Sequence, residues 1–500
     1  MSETALQPDP RRWKALIFIG LAQLMVVLDA TVVNIALPSA QADLGISDAN
    51  RQWVITAYAL AFGGLLLFGG RIADLWGRRR TFIVGLTGFA LASALGGAAA
   101  NTAMLLGSRA LQGLFGALLA PAALSLLAVM FTEAHERAKA FGIYGAIAGG
   151  GGAIGLILGG LLTEYMNWRW TFFVNIPFAV VAIAGAVLII REPGGARNSN
   201  RLDIPGVLLV TSGLVSLVYG FTRAETDGWT AGVTLGLFAA AVVLLASFVL
   251  VESKVKAPLL PLRVILNRNR GGAYLSLGLA VIGMFGLFLF LTYYMQKVLN
   301  YSPVLTGVAF LPMVAGMITG STQIGARLMT RVPPRYLMAP GFLTASAGLL
   351  ILTQIKVDSS YPALILPGLI LMGLGMGTAF MPAMSLATLG VEPRDAGVAS
   401  AMVNTSQQVG GAIGTALLAT IANSAATAYA KAHHVGPTAS PLAHAQTMVH
   451  SFSTAITWSF GILVLAAIIA GVLINAGHQG TQPVAGKDGE LADAIPVMAH

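Results

Sequence analysis

The pentapeptide GGAIG stands at residues 151–155 and again, unchanged, at 410–414. The stretch LLAPAALSL (118–126) precedes the first copy and AFMPAMSLA (379–387) precedes the second. A short charged segment, TEAHERAK (132–139) or EPRDAG (392–397), separates each proline-bearing stretch from its glycine run. Chance can produce one pentapeptide in a chain with 59 Gly among 500 residues. Proline, charged segment and glycine run in the same order make chance a poor explanation, so the chain carries an internal repeat with an offset of 259 residues.

Composition says what is being repeated. The apolar share is 56% and the charged share only 10%, against about 25% charged for an ordinary soluble domain. This is the composition of a polytopic helical membrane protein, in which small residues let helices approach closely. Apolar stretches long enough to cross about 30 Å of hydrocarbon lie near 15–37, 52–70, 81–99, 104–130, 139–163, 170–190, 204–222 and 231–251. Six more lie near 272–296, 304–326, 336–355, 361–386, 397–423 and 453–475, making fourteen. The start, MSETALQPDPRRWK, puts basic residues before an apolar run as a signal peptide does. That run continues past 20 residues and contains Asp29, so an uncleaved first helix is expected. The chain has no cysteine, which excludes disulfides, thiol catalysis and cysteine-ligated metals.

An even number of spans puts both ends on one side. If that side is the cytoplasm, 22 of the 29 Lys and Arg fall in inside segments and 6 outside, with Arg109 in mid-span. That asymmetry fits the positive-inside rule and makes the net charge of +9 a matter of topology, not of a nucleic-acid surface. The two glycine runs lie within spans 5 and 13, so the first six spans correspond to the last six, with two inserted between. Matching spans run in the same direction, which makes the halves parallel repeats about an axis along the membrane normal. The expected organisation is a cytoplasmic N-terminus (1–14), a six-helix bundle (15–190) and a linker with the inserted helices (191–271). A second six-helix bundle (272–475) and a disordered cytoplasmic tail (476–500) follow. Two such bundles can rock about a central site and give alternating access.

Asp29 lies inside QLMVVLDATVVNIALP (23–38), where a charge costs about 2.5–3.5 kcal/mol at a bilayer centre by insertion scales. Arg109, Gln112, Gly113 and Gly116 follow i, i+3, i+4, i+7 spacing, which gives the fourth span one polar, small-residue stripe. At 1.5 Å per residue Arg109 lies roughly 8 Å, and Asp29 roughly 12 Å, below the same membrane surface. The two can pair directly, or through Gln112 or water. A carboxylate that alternates between a cationic partner and a bound proton is what a proton-coupled carrier needs; a permanent pair that only fixes packing is the alternative. Gln23 and Asn34 project about 20° apart and more than about 100° from Asp29, so the first helix has two polar faces. Adding the repeat offset brings Asp29 to about Leu289 and Arg109 to about Leu369. Coupling therefore belongs to the first half.

On these motifs the chain resembles the major facilitator superfamily, in its fourteen-helix drug:proton antiporter branch of the multidrug-efflux type. GRIADLWGRRR (70–80) is similar to that superfamily's loop between helices 2 and 3, RALQGLFGA (109–117) to its helix-4 motif, and LDATVVNIALP (28–38) to the first-helix motif of the branch. WRWTFFVNIP (168–177) resembles its entry to helix 6, and GAIGLILGG (152–160) its helix-5 antiporter motif. In the last, Leu156 stands where proline is usual, while Gly151, Gly155, Gly159 and Gly160 keep the glycine pattern; Leu75 replaces a frequent basic residue in the loop. The resemblance implies an all-α fold of two parallel six-helix repeats plus two inserted helices. It also implies a conformational latch formed by Gly70, Asp74, Gly77, Arg78 and Arg79.

A substrate cavity is expected to draw on Asn34, Tyr293, Phe380, Asn404, Gln407 and Gln408. Eleven of the 18 methionines fall between Met284 and Met402, and methionine suits a pocket that accepts unlike apolar molecules, as it also suits plain packing. His433, His434, His444 and His450 have no metal-ligand spacing, so no metal is expected. Nor is any G-x-x-x-x-G-K-[ST] signature present: the expected energy source is the proton gradient, with no cofactor and no enzymatic activity. The expected function is export of small hydrophobic or amphipathic compounds by a monomer in the inner or plasma membrane. The alternative is a dedicated exporter of one metabolite, lipid, siderophore or self-made antibiotic.

Overall fold

The computed structural model describes residues 11–47, 50–131, 134–190, 203–255, 258–329, 331–388, 391, 396–436 and 438–476. The polar tail from Gly477 and most of the charged segment 392–397 lie outside the described residues. Every regular element described is helical. The first group comprises α1 (Arg12–Leu44), α2 (Trp53–Trp76), α3 (Arg78–Gly97), α4 (Thr102–Met130), α5 (Ala134–Tyr165) and α6 (Trp170–Leu188, interrupted at Val174). The inserted pair is α7 (Ile204–Asp227) and α8 (Gly232–Glu252). The last group comprises α9 (Arg268–Val298), α10 (Pro303–Gly325), α11 (Arg335–Leu352), α12 (Tyr361–Ala387), α13 (Ala396–Ala432) and α14 (Pro441–Leu473). Thirteen are long and apolar enough to span a membrane, and α5, a 32-residue helix, completes the fourteen.

The helices outrun the apolar stretches that predict them. α1 continues to Leu44 with Pro38 inside it, because aqueous backbone can stay helical after the apolar run ends. It stops where Gly45 turns left-handed (φ 60°) and its N–H reaches back to Gln41 O. α2 and α3 are divided by Gly77 alone, whose φ of 98° is open to glycine at little cost.

One core lies within the first group and gathers Ile19, Met25, Phe82, Phe89 and Phe131; the other is centred on the last group, with Phe290, Phe310, Phe342 and Phe452, and extends into the first through Val33, Leu37, Val54 and Phe172. The glycine repeat does the same work in both. A Cβ on Gly155 would lie 1.9 Å from Thr31 Oγ1, and one on Gly159 3.0 Å from Val32 Cα, so α5 lies directly on α1. In the last group a Cβ on Gly414 would lie 2.7 Å from Ile282 Cα, so α13 lies on α9. Gly151 faces Leu24 and Val27 along the same stripe, whereas Gly160 turns to Val304 of α10. α5 runs unbroken through Leu156, whose carbonyl meets Gly307 of α10. Without proline the helix keeps its hydrogen-bond ladder here.

The inserted pair lies at the edge, with only Thr234, Ala241, Phe248 and Glu252 of α8 buried. α7 touches both groups: Thr211 Oγ1 donates to Gly64 O of α2 at 3.1 Å, and Thr420 Oγ1 of α13 donates to Phe221 O at 2.9 Å. Both ends of the described chain lie on one face, called here the terminal face. On the opposite, far face the groups are sewn together. Gln296 Nε2 donates to Ile35 O at 3.1 Å, Val304 N–H to Glu164 Oε2 at 3.0 Å, and Tyr293 O–H to Gln41 Oε1.

Candidate functional site

Five helices of the first group converge on one buried carboxylate. Asp29 of α1 is 0% exposed and Arg109 of α4 is 1% exposed. Arg109 Nη1 donates to Asp29 Oδ2 at 2.6 Å and to Gln112 Oε1 at 2.8 Å. Its Nε donates to Val54 O of α2 at 2.9 Å, and its guanidinium lies 4.4 Å from the ring centroid of Tyr58. Gln112 Nε2 donates to Asp29 Oδ1 at 2.7 Å and to Ser93 Oγ of α3 at 2.6 Å. Asn175 Nδ2 of α6 donates to the same two acceptors at 3.0 and 3.1 Å. The predicted trio Asp29, Arg109 and Gln112 is thus brought together, with direct pairing and Gln112 as a second bridge.

The chemistry follows from the direction of these bonds. Each partner described for Asp29 is a donor, so the site is built for the ionised carboxylate and offers a carboxyl proton no acceptor among them. The guanidinium, always charged, sits between the carboxylate and an aromatic face, a dry setting in which charge-assisted bonds are strong. Losing either charge would leave the other buried and unpaired.

Ser93, Asn175 and Tyr58 are members of the site that the sequence reading missed. Asn175 stands within WRWTFFVNIP, so the motif contained the signal; it is the first residue after the break at Val174 and faces α1 and α3. The rest of that motif braces the far face. Trp168 Nε1 and Arg169 Nη2 both donate to Asp43 Oδ2 at 2.9 Å, and Arg169 also reaches Ala99 O.

Of the latch residues, Arg79 donates from Nε to Ala186 O at 3.0 Å and from Nη2 to Val187 O at 2.6 Å. These are the closing carbonyls of α6, so Arg79 ties helices within the first group and complements a helix C-terminus. Gly70 faces Pro121 of α4, Gly77 makes the sharp turn, and Arg78 is half-buried. The side chain of Asp74 lies outside what is described.

The cavity residues do not gather at one point. Tyr293 is 2% exposed in the far-face closure, with the Arg51 guanidinium 4.4 Å from its ring centroid. Asn34 is buried with Nδ2 on Ala30 O at 2.9 Å and Oδ1 without a partner. Gln23, expected on the same face as Asn34, accepts from Tyr144 O–H of α5 at 2.6 Å. Gln407 Nε2 lies 3.7 Å from Met384 Sδ, Gln408 packs on Gly63 of α2, and Phe380 and Asn404 are half-buried on α12 and α13. Of the four histidines, His433 and His450 flank Tyr429 with ring centroids at 3.9 and 4.6 Å.

Comparison with known proteins agrees with this architecture. The sequence profile of the Major Facilitator Superfamily matches residues 19–415. The chain is 54% identical over 471 residues to the puromycin resistance protein of Streptomyces alboniger, covering 94% of this chain and 92% of that one. It is 38% identical over 412 residues to the cephamycin export protein of Amycolatopsis lactamdurans, covering 82% and 85%. Its fold is similar to that of a bacterial homologue of the human lysosomal transporter Spinster, at 17% identity and a TM-score of 0.65, covering 93% and 97% of the two chains. A profile match over most of the chain, a relative sharing over half its residues, and fourteen helices in two matched groups make this protein a member of the major facilitator superfamily.

Proposed function

We propose that the protein exports small amphipathic antibiotics in exchange for protons, as a monomer in the cell membrane, with its terminal face toward the cytoplasm. The observation that carries the coupling is the donor-only surround of Asp29. The network and a protonated Asp29 exclude one another, so a proton can be accepted only if at least one donor withdraws. Movement of α1 against α4 and α6 accomplishes that withdrawal, and the contact of Gly155 and Gly159 with α1 passes the motion of α5 to it. The far-face closure fits the half-cycle in which the carrier loads substrate from the cytoplasm. Opening of the far face then exposes Asp29 to outside protons; the carboxyl is neutralised and Arg109 is left with Gln112, Val54 O and the Tyr58 ring. Return to the cytoplasm-open state re-forms the network and expels the proton inward.

One proton moving down 100 mV provides about 2.3 kcal/mol, which sustains roughly a 40-fold gradient of a neutral compound at 1.4 kcal/mol per tenfold. No cofactor is needed. Asn34, Phe380, Asn404, Gln407 and Gln408 supply hydrogen bonds and apolar surface to a substrate between the bundles, and Tyr293 joins them when the far face opens. Gly70, Asp74, Gly77, Arg78 and Arg79 act as the latch on the cytoplasmic side. The 54% identity to a puromycin resistance protein makes puromycin the first substrate to try. A second reading, a dedicated exporter of one self-made antibiotic, is favoured by the two relatives above, each of which is named for a single drug.

The test is uptake of labelled puromycin into everted vesicles with an imposed acid-inside gradient. Accumulation that a protonophore abolishes supports the reading; accumulation indifferent to the gradient rejects proton coupling. A panel of unrelated toxins then separates broad from dedicated export.

A further inference from the structure

The inserted helices hold a second pair of ionisable groups. Asp203 caps α7: its Oδ1 accepts from Gly206 N–H at 2.9 Å, and it is 5% exposed. Glu252, at the end of α8, is 3% exposed, and its Oε2 accepts from Leu260 N–H at 2.9 Å. The remaining oxygens, Asp203 Oδ2 and Glu252 Oε1, are buried with no donor. Both point into one small space, 2.5 and 2.8 Å from where a Cβ on Gly206 would stand, and the two side chains are within hydrogen-bond reach of each other.

We propose that Asp203 and Glu252 form a proton-binding pair, sharing one proton between these facing oxygens, and that this proton pins the segment 258–261 to the terminal-face ends of α7, α8 and α2. Two buried carboxylates in contact cannot both stay ionised, and a shared proton is the usual resolution. A metal ion fits worse. Two of the four oxygens are already taken by backbone N–H groups, and Ca2+ takes 6–8 oxygen ligands. Among the described residues, no cation donates to either of the two facing oxygens. Arg71 of α2 donates to Pro258 O at 3.4 Å, Arg270 of α9 to Val264 O at 3.1 Å, and Lys254 and Arg263 are exposed. α13 contributes Val398, Ala401 and Met402, all uncharged.

The site has a mechanical reach that its edge position hides. Leu259 and Leu260 are buried in a cluster with Leu67 of α2, Val207 of α7 and Phe248 of α8, with Val398, Ala401 and Met402 packed against it. The Leu260 N–H bond to Glu252 therefore fastens the lead-in to α9 at a junction of both bundles. Loss of the shared proton sets two anions face to face and loosens that fastening. The segment thus responds to pH on the terminal face, held at low pH and released as pH rises, independently of Asp29.

Infrared spectroscopy of the purified full chain, in an Asp29→Asn background, tests the proton directly. A protonated-carboxyl stretch sensitive to exchange into heavy water is expected at neutral pH, and it should vanish in Glu252→Gln and in Asp203→Asn. Gly206→Ala, whose Cβ would wedge the oxygens apart, should weaken or shift it. Absence of the band in the Asp29→Asn protein, or its persistence in both amide variants, overturns the proposal. Thermal unfolding against pH gives a second readout: the wild-type midpoint should fall as pH rises above neutral, and Glu252→Gln, a fixed mimic of the protonated pair, should flatten that slope. Parallel slopes overturn the pinning role.

Discussion

The first and last six helices share a plan and differ at its centre. In both, the fifth helix lays a glycine stripe on the first, Gly155 against Thr31 in one and Gly414 against Ile282 in the other. In the first bundle the convergence point holds Asp29, Arg109, Gln112, Ser93 and Asn175, while Leu289 and Leu369, near the corresponding repeat positions, are buried apolar residues. Packing geometry therefore comes with the repeated scaffold and ionisable chemistry does not. One bundle can act as the proton-handling body and the other as an apolar body against which it moves.

The difference can be attacked from its largest element down. Arg109→Leu leaves Asp29 buried without its counter-ion, a loss of about 3–5 kcal/mol, and should nearly abolish folded protein in a detergent-solubilised size-exclusion profile. Combining it with Asp29→Leu makes the first core resemble the second, and the double variant should recover the folded peak while staying inactive in proton-driven uptake. Asp29→Asn alone keeps the shape and one acceptor oxygen, while its NH2 group faces donors. It should fold, keep substrate exchange between the two sides, and lose up to about 40-fold in gradient-driven accumulation, the gradient one proton supports at 100 mV.

Gly155→Ala probes the shared part of the plan. Overpacking costs about 1–3 kcal/mol, and because the first obstacle is the Thr31 hydroxyl, Thr31→Ala should restore most of the lost thermal stability and transport. Gly414→Ala meets the backbone of Ile282 and should admit no such rescue. The smallest effect is expected from Asn175→Ala, which removes one of two donors to Asp29 Oδ1. A loss of about 0.5–1.5 kcal/mol corresponds to a two- to tenfold fall in initial uptake rate.

Much of this could be read from the sequence, for reasons specific to the solvent. Lipid forces long apolar stretches, so fourteen spans stand out, and it penalises charge, so Asp29 and Arg109 stand out within them; helical spacing adds Gln112. Ser93 and Asn175 escape that logic. A serine or asparagine in a span is common, and what makes these two part of the site is a neighbour on another helix, which one sequence does not specify. The same gap leaves the placing of the cavity residues to the fold. Tyr293, near the end of its span, turns out to fasten the far face with Gln41 and Arg51, and the Cβ of half-buried Gln408 lies against Gly63. Arg79 shows the limit of a motif: the loop pattern marks it but does not say that it also reaches the carbonyls at the end of α6.

The most direct test of the account is substrate-induced proton release from the purified protein, followed with a pH indicator in weakly buffered detergent solution. If the ionised network and a protonated Asp29 exclude one another and puromycin loads onto the ionised state, binding draws the protonated fraction of the wild type into that state and releases protons, and Asp29→Asn binds the drug with none released. Equal proton release from the two proteins, or binding by the wild type without any, would contradict it.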